Sequence, residues 1–143
     1  MDIETLHRLR KAFAQIESHQ HVAALIFYKR LFELDPSLRP LFKNDIEEQS
    51  KKLMDMLAAA LSMAEAPDQL TSVLEQMGAR HATYGVETSH YATVGQALLD
   101  MLAETLGDEF TPLARQEWTA LYVFISNAML AGVEKAAAEA AKL

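Results

Sequence analysis

Apolar residues recur at steps of three and four along most of the chain, which is the spacing of one face of an α-helix. In the first segment this stripe predicts a helix that ends near residue 17 or 18, with apolar positions at Ile3, Leu6, Leu9, Phe13 and Ile16. A second helix is predicted from about residue 20 to Leu34, because the residue before Pro36 is pushed out of the helical region. Its apolar residues fall on two sides, so it is expected to be sandwiched between neighbours; they are Leu25, Tyr28 and Phe32 on one side and Phe27, Leu31 and Leu34 on the other.

Proline, glycine and capping residues predict the ends of the remaining helices. After Pro36 a short turn-like element ends at Leu41-Phe42, and Asn44 or Asp45 is expected to cap the third helix. The later boundaries are predicted at Pro67-Asp68 and Gly85 for the fourth helix, at Ser89 and Gly107 for the fifth, and at Thr111-Pro112 for the last. Residues 134–143 turn to Ala, Glu and Lys, and we expect a solvated helical tail there.

The chain has few of the residues that form the tight turns between strands of a β-sheet. The 143 residues include five glycines and four prolines, with no Asn-Gly or Asp-Gly pair. No repeat or linker divides the chain. The sequence therefore predicts an all-α protein with a single domain over residues 1–143.

Composition excludes several classes of protein. There is no cysteine, so disulfides and thiolate metal sites are ruled out, and no uncharged apolar run reaches the roughly 18 residues of a membrane span. The net charge of −7 argues against a nucleic-acid partner. The acidic, amphipathic start is unlike a signal peptide, so we expect a cytoplasmic protein.

Three polar side chains occupy positions where the helical period favours an apolar one. His81 continues the stripe of Leu70, Leu74 and Met77 toward Tyr84; Gln49 heads the line of Leu53, Met56 and Ala60; and Tyr28 shares a face with Phe32. Each alone has an ordinary interpretation as a buried group with a backbone hydrogen bond. Together they favour a bound cofactor, because an unpaired buried polar group costs about 1–3 kcal/mol and three helices carry one.

A lone histidine among apolar residues suits haem, whose macrocycle brings the other iron ligands. His81 would then bind the iron, and Tyr28 and Gln49 would donate hydrogen bonds to a ligand on the opposite face. The side chains expected to clasp the macrocycle are Phe42, Leu53, Leu57, Met77, Val94 and Leu98. His7, His19 and His21 fall on or near exposed faces and are interpreted as solvated.

A set of motifs occurs in a characteristic order over roughly residues 3–133. They are Phe27-Tyr28-Lys29-Arg30-Leu31-Phe32, Pro36, Leu41-Phe42, Gln49, Gly78-Ala79-Arg80-His81, Tyr84-Gly85-Val86, His90-Tyr91, Val94-Gly95, Leu98-Leu99, Trp118 and Tyr122. The set resembles a bacterial globin, similar to the haem domain of flavohaemoglobins and to single-domain bacterial haemoglobins. This resemblance implies a globin fold, a 3-on-3 sandwich of about six to eight helices around a haem b pocket.

The resemblance also implies roles for individual residues. His81 matches the proximal haem ligand, and Tyr28 and Gln49 match the distal donors. Phe42 matches the phenylalanine that packs against the haem, and Leu53 matches the distal apolar contact. Tyr91 matches the tyrosine near the proximal histidine, and Tyr84 and Val86 are expected among the residues that bind the haem. In flavohaemoglobins a glutamate of the last helix bonds the proximal histidine, whereas this chain has Lys135 in that region with Glu134 beside it. Without such a carboxylate, strong activation of oxygen is not expected.

The function implied by the resemblance is reversible binding of dioxygen or another diatomic ligand, by a monomer or a weak homodimer. An alternative is a nitric oxide dioxygenase that relies on an external reductase, since no nucleotide-binding motif occurs in the chain. Two further interpretations are a gas sensor, for which no residues are left to form a transmitter, and a haemless interaction module, which His81 in an apolar stripe argues against.

Overall fold

The computed structural model describes residues 2–42 and 45–142, and in that part of the chain there are six α-helices, two short 3₁₀ helices and no strand. The α-helices are α1 (Ile3–Glu17), α2 (Gln20–Leu34), α3 (Ile46–Ser62), α4 (Pro67–Thr83), α5 (Thr88–Leu106) and α6 (Pro112–Ala141). The 3₁₀ helices span Pro36–Leu41 and Gly107–Glu109. The all-α prediction is confirmed, and α1 and α2 have the predicted bounds.

Most helix ends follow their predicted caps. The Asp45 carboxylate accepts a hydrogen bond from the Glu48 amide at 2.8 Å, and the Thr111 hydroxyl accepts one from the Ala114 amide at 3.1 Å. Asn44, the other predicted cap of α3, lies outside the described residues.

The prediction that Ser89 caps α5 is wrong, because the helix begins at Thr88 and its N-cap is Glu87. The imidazole of His90 reaches back and accepts a hydrogen bond from the Glu87 amide through Nδ1 at 2.9 Å. The imidazole thus satisfies a backbone donor that would otherwise be left free at the helix start.

The helices form two principal packing pairs around one core. α2 packs chiefly on α5, and α4 packs chiefly on α6. The largest fully buried side chains come from all six helices and include Trp118, Leu9, Ile16, Leu31, Met54, Leu57, Leu74, Leu98, Met101 and Ile125. Burial of these apolar surfaces is the main favourable term that holds the sandwich together.

The apolar face of α2 is narrower than predicted. Leu25 is 45% exposed and Leu34 is 42% exposed, so the expectation that both point inward is wrong. The buried positions of its first turns are Ala23 and Ala24 instead. An alanine carries little apolar surface, so a buried face predicted from large apolar side chains misses alanine positions. Here the small residues let α2 lie close to its neighbours.

Ion pairs connect helices that are distant in sequence. Arg8 of α1 donates hydrogen bonds to both carboxylate oxygens of Glu117 on α6, the shorter being 2.6 Å, and these bonds lower the pKa of Glu117. Arg30 of α2 pairs with Asp100 of α5 at 3.0 Å. Residues 134–142 are exposed and continue α6 as far as Ala141. No helix within residues 2–42 and 45–142 is long and apolar enough to cross a membrane.

Candidate cofactor site

His81 lies in the last turn of α4, and its side chain is half-buried. Its Nδ1 atom is 2.7 Å from the carbonyl oxygen of Met77, one helical turn earlier. A carbonyl oxygen can only accept a hydrogen bond, so Nδ1 carries the proton. The other ring nitrogen, Nε2, then has a free lone pair and can bind a metal ion.

The inward stripe of α4 ends sooner than predicted. Leu70 and Leu74 are buried and Met77 is half-buried, but Tyr84 is 65% exposed and lies outside the helix as its C-cap. The expectation that Tyr84 continues the inward stripe is therefore wrong. The helical period does not reach Tyr84, because the chain turns away through Gly85, whose φ of 93° is a conformation that favours glycine. The Tyr84 ring centroid is still 6.2 Å from that of His81.

Tyr28 lies within a cluster of aromatic rings. It is 4% exposed, and its ring centroid is 4.9 Å from Phe27, 6.1 Å from Phe32 and 5.4 Å from Phe42. Phe42 follows the first 3₁₀ helix, so the fold brings two predicted site residues together. Burial raises the pKa of the Tyr28 phenol far above its ordinary value, so the hydroxyl stays protonated. None of the hydrogen bonds within the described ranges involves this hydroxyl, so it remains available as a donor.

Gln49 lies in the first turns of α3 and is half-buried, as is Leu53 one turn later. The most buried line of this helix is displaced by one residue from the predicted line and consists of Ser50, Met54, Leu57 and Leu61. The predicted line of Gln49, Leu53 and Met56 thus forms the half-buried flank of α3, although Ala60 is fully buried. A polar amide on such a flank keeps access to a ligand.

Apart from the exposed Tyr84, the predicted lining residues divide into two groups. Leu57, Tyr91 and Leu98 are buried in the core. The others are half-buried apolar side chains packed against its edge, namely Phe42, Leu53, Met77, Val86 and Val94. Apolar walls with a few polar groups are typical of cofactor sites.

The residues present fit haem in a further respect. Among the residues that the structure describes, no group of three or more His, Cys, Asp or Glu side chains could hold a metal ion. A single imidazole whose Nδ1 proton is bonded to the Met77 carbonyl suits an iron that brings its other ligands with it, as haem does. The half-buried apolar side chains suit the faces of such a macrocycle.

The segment of α6 with Glu134 and Lys135 does not supply a carboxylate that bonds His81. Lys135 pairs with Glu75 of α4, whose side chain is 17% exposed, while Glu134 is exposed. The hydrogen-bond acceptor of the His81 imidazole is the backbone of Met77. A neutral carbonyl withdraws the proton less strongly than a carboxylate, so this imidazole has less imidazolate character.

The described residues form an all-α sandwich of helices, and comparison with known proteins gives its family. The globin family model matches residues 25–129, and the chain belongs to the globin family. It is 30% identical over 141 residues to neuroglobin of Danio rerio, and the match covers 89% of each chain. It is 28% identical to the flavohemoproteins of Bacillus subtilis and of Vibrio cholerae, over 94% and 89% of this chain. This chain spans only about a third of the length of those two flavohemoproteins.

Solved structures agree with the family. An engineered carbene transferase, built on a Rhodothermus marinus protein assigned by name as a nitric oxide dioxygenase, superposes with a TM-score of 0.84 at 27% identity, covering 99% of both chains. A hexacoordinated heme protein from an anhydrobiotic tardigrade superposes with a TM-score of 0.83 at 18% identity, covering 94% of this chain and 96% of the other. The second match bears on the fold alone. The globin fold expected from the sequence is confirmed.

Two tyrosines, Tyr91 of α5 and Tyr122 of α6, differ in their hydrogen bonding. The Tyr122 hydroxyl donates to the carbonyl oxygen of Tyr91 at 2.6 Å, and Gly95 makes room for the Tyr122 ring, since a Cβ there would lie 2.7 Å from it. The Tyr91 hydroxyl is buried and has no hydrogen-bond partner among the described residues. Sequence reasoning could not distinguish the two, because their partners are set by tertiary packing.

This difference predicts opposite effects of the same substitution. Tyr91→Phe removes an unsatisfied hydroxyl and is expected to leave the free energy of unfolding of the haem-free protein unchanged or to raise it by up to about 1–3 kcal/mol. Tyr122→Phe loses a made hydrogen bond and is expected to lower it by about 1 kcal/mol. Urea unfolding of both variants measures the two effects. A larger loss in Tyr91→Phe than in Tyr122→Phe would contradict the assignment.

Proposed function

We propose that this globin binds haem b through His81 and binds dioxygen reversibly, with Tyr28 and Gln49 as hydrogen-bond donors on the distal side. The observation that carries the proposal is the 2.7 Å contact between Nδ1 of His81 and the Met77 carbonyl, which leaves Nε2 free to bind iron. Haem, when bound, would supply an iron that can bind one diatomic ligand. The residues proposed to contact the macrocycle are Phe42, Leu53, Leu57, Met77, Tyr84, Val86, Tyr91, Val94 and Leu98.

The distal donors act through hydrogen bonds to the ligand. Tyr28 keeps its proton because burial raises the pKa of the phenol, and the surrounding rings of Phe27, Phe32 and Phe42 limit its movement. A fixed donor in an apolar setting favours a ligand that has acquired partial negative charge. Gln49 supplies a second donor through its side-chain amide, from the flank of α3.

The proximal side favours binding over activation. A carbonyl acceptor holds the His81 ring in one tautomer and orientation without transferring much negative charge to it. An imidazole of this kind would donate little extra electron density to a bound iron. Reversible binding is the expected outcome.

A second candidate is nitric oxide dioxygenase activity. It is favoured by the similarity to two flavohemoproteins and to the engineered form of an assigned nitric oxide dioxygenase. In that reaction one dioxygen, one nitric oxide and one electron give one nitrate. The electron would come from a flavoprotein reductase. This chain spans only about a third of the length of those relatives.

One assay separates the two candidates. The hemin-loaded protein is reduced, freed of excess reductant and exposed to air; the proposal predicts an oxygenated spectrum that reverts when the solution is purged with argon. Immediate oxidation that purging does not reverse would contradict reversible binding. Sustained nitrate formation from nitric oxide in the presence of a flavoprotein reductase would favour the dioxygenase instead.

A further inference from the structure

The helix that carries His81 touches α6 backbone to backbone. A Cβ atom added at Gly78 of α4 would overlap the carbonyl oxygen of Met129 on α6. A Cβ atom added at Gly132 of α6 would overlap the carbonyl oxygen of Glu75 on α4. Glycine is the residue that permits such close approach of two backbones.

The two contacts are reciprocal and form one continuous line. Glu75 of α4 meets Gly132 of α6, and Gly78 of α4 meets Met129 of α6. The two residues of each helix are three positions apart, and the order along α6 is the reverse of the order along α4. A third contact extends the line, because Lys135 of α6 forms an ion pair with Glu75. α4 is therefore held against α6 over about one turn of α4 and about two turns of α6.

This line of contacts ends beside the histidine. Gly78 directly follows Met77, whose carbonyl accepts the Nδ1 proton of His81. Contacts between two backbones cannot be relieved by a change of rotamer, so a displacement of α6 moves the Met77 carbonyl and the imidazole together. The separation between α4 and α6 thus determines the position of the His81 imidazole.

We propose that Gly78 and Gly132 are positioning residues for the His81 ligand, and that the ion pair of Lys135 with Glu75 keeps the two helices in register. This inference rests on the proposed function, since it concerns the bond between His81 and haem iron. A Cβ at either glycine must separate or tilt the helices, and the imidazole then approaches the iron from a changed position.

The test uses Gly132→Ala, because Gly132 belongs to α6 and is not among the residues proposed to contact haem. In the hemin-loaded, reduced protein we expect the iron–histidine stretching band in the resonance Raman spectrum to shift from its wild-type position. We also expect haem to dissociate faster, by about tenfold or more, which corresponds to 1.4 kcal/mol or more. Ile16→Val, a mild truncation of a fully buried residue in α1, is the control for a general loss of stability.

Lys135→Gln keeps the polypeptide backbone unchanged and provides a second variant if Gly132→Ala does not fold. It is expected to shift the same band in the same direction but less, and Lys135→Arg is expected to restore the wild-type position. An unchanged band in the glycine variant, or an equal shift in Ile16→Val, would overturn the inference while leaving the proposed function intact.

Amide hydrogen exchange of the haem-free protein gives a readout that does not depend on the cofactor. Gly132→Ala should raise the exchange rates of the amides of residues 77–81 by about tenfold or more, the factor that corresponds to 1.4 kcal/mol, whereas Ile16→Val should not single out this segment. If wild-type protein takes up no hemin, the proposed function fails. An equal rise in exchange rate for all amides of α4 in Gly132→Ala would show instead that the glycines do not position His81.

Discussion

Substitution of His81 with alanine is expected to abolish stoichiometric haem retention while leaving a folded helical protein. In the proposed site the imidazole supplies the protein's bond to iron, and its half-buried ring contributes little to the core. Haem content measured after gel filtration, together with the Soret band, should fall from about one haem per chain to a small fraction, because the apolar contacts alone must then hold the macrocycle. Circular dichroism should still report mainly helix.

His21→Ala is the matched control for this variant, since His21 lies exposed on α2 far along the sequence from the site. It should retain haem like the wild type. Unchanged haem content and an unchanged Soret band in His81→Ala would show that iron is bound elsewhere, and the assignment of the proximal ligand would be wrong.

Tyr28→Phe is expected to accelerate dissociation of dioxygen by about tenfold to a hundredfold, because a hydrogen bond to a partly charged ligand contributes about 1.5–3 kcal/mol. The phenylalanine ring fits the same aromatic cluster with Phe27, Phe32 and Phe42, so the change removes the hydroxyl and little else. Stopped-flow displacement of dioxygen by carbon monoxide measures the dissociation rate directly.

The control for the tyrosine variant is Tyr122→Phe, which removes a buried hydroxyl that bonds the carbonyl of Tyr91. Its dissociation rate should match the wild type. If Tyr28→Phe also leaves the rate unchanged, the Tyr28 hydroxyl does not donate to the ligand, and Gln49 would remain as the distal donor.

Much of the fold could be predicted because its signals are local. The bounds of α1 and α2 follow from a regular apolar stripe and from Pro36, and Thr111 with Pro112 marks the start of α6 as an N-cap followed by proline. The stripe of α4 likewise singles out His81 as a polar residue on an apolar face. Short-range spacing is enough to find such features.

The errors have a common cause, which is that burial depends on neighbouring helices. Leu25 and Leu34 are apolar at helical spacing, yet they are exposed because no element among the described residues covers that side of α2. Tyr84 follows the same spacing beyond the point at which α4 ends. Periodicity alone does not show where a helix loses its neighbour.

The contacts between distant residues were beyond the reach of the sequence. Gly78 and Gly132 are separated by more than fifty positions, and nothing in either local sequence indicates that each meets the backbone of the other's helix. The sequence also did not identify the hydrogen-bond acceptor of the His81 imidazole. A carboxylate near Glu134 was an alternative to the Met77 carbonyl that the structure presents. These details decide how the imidazole is held.

The most direct test of a single-histidine haem site is a hemin titration of the haem-free wild-type protein followed in the Soret region. A sharp end point at one hemin per chain is predicted, followed on reduction and addition of carbon monoxide by the spectrum of a haem with one histidine ligand. A titration that shows no Soret shift and no end point would contradict the site and the function proposed from it.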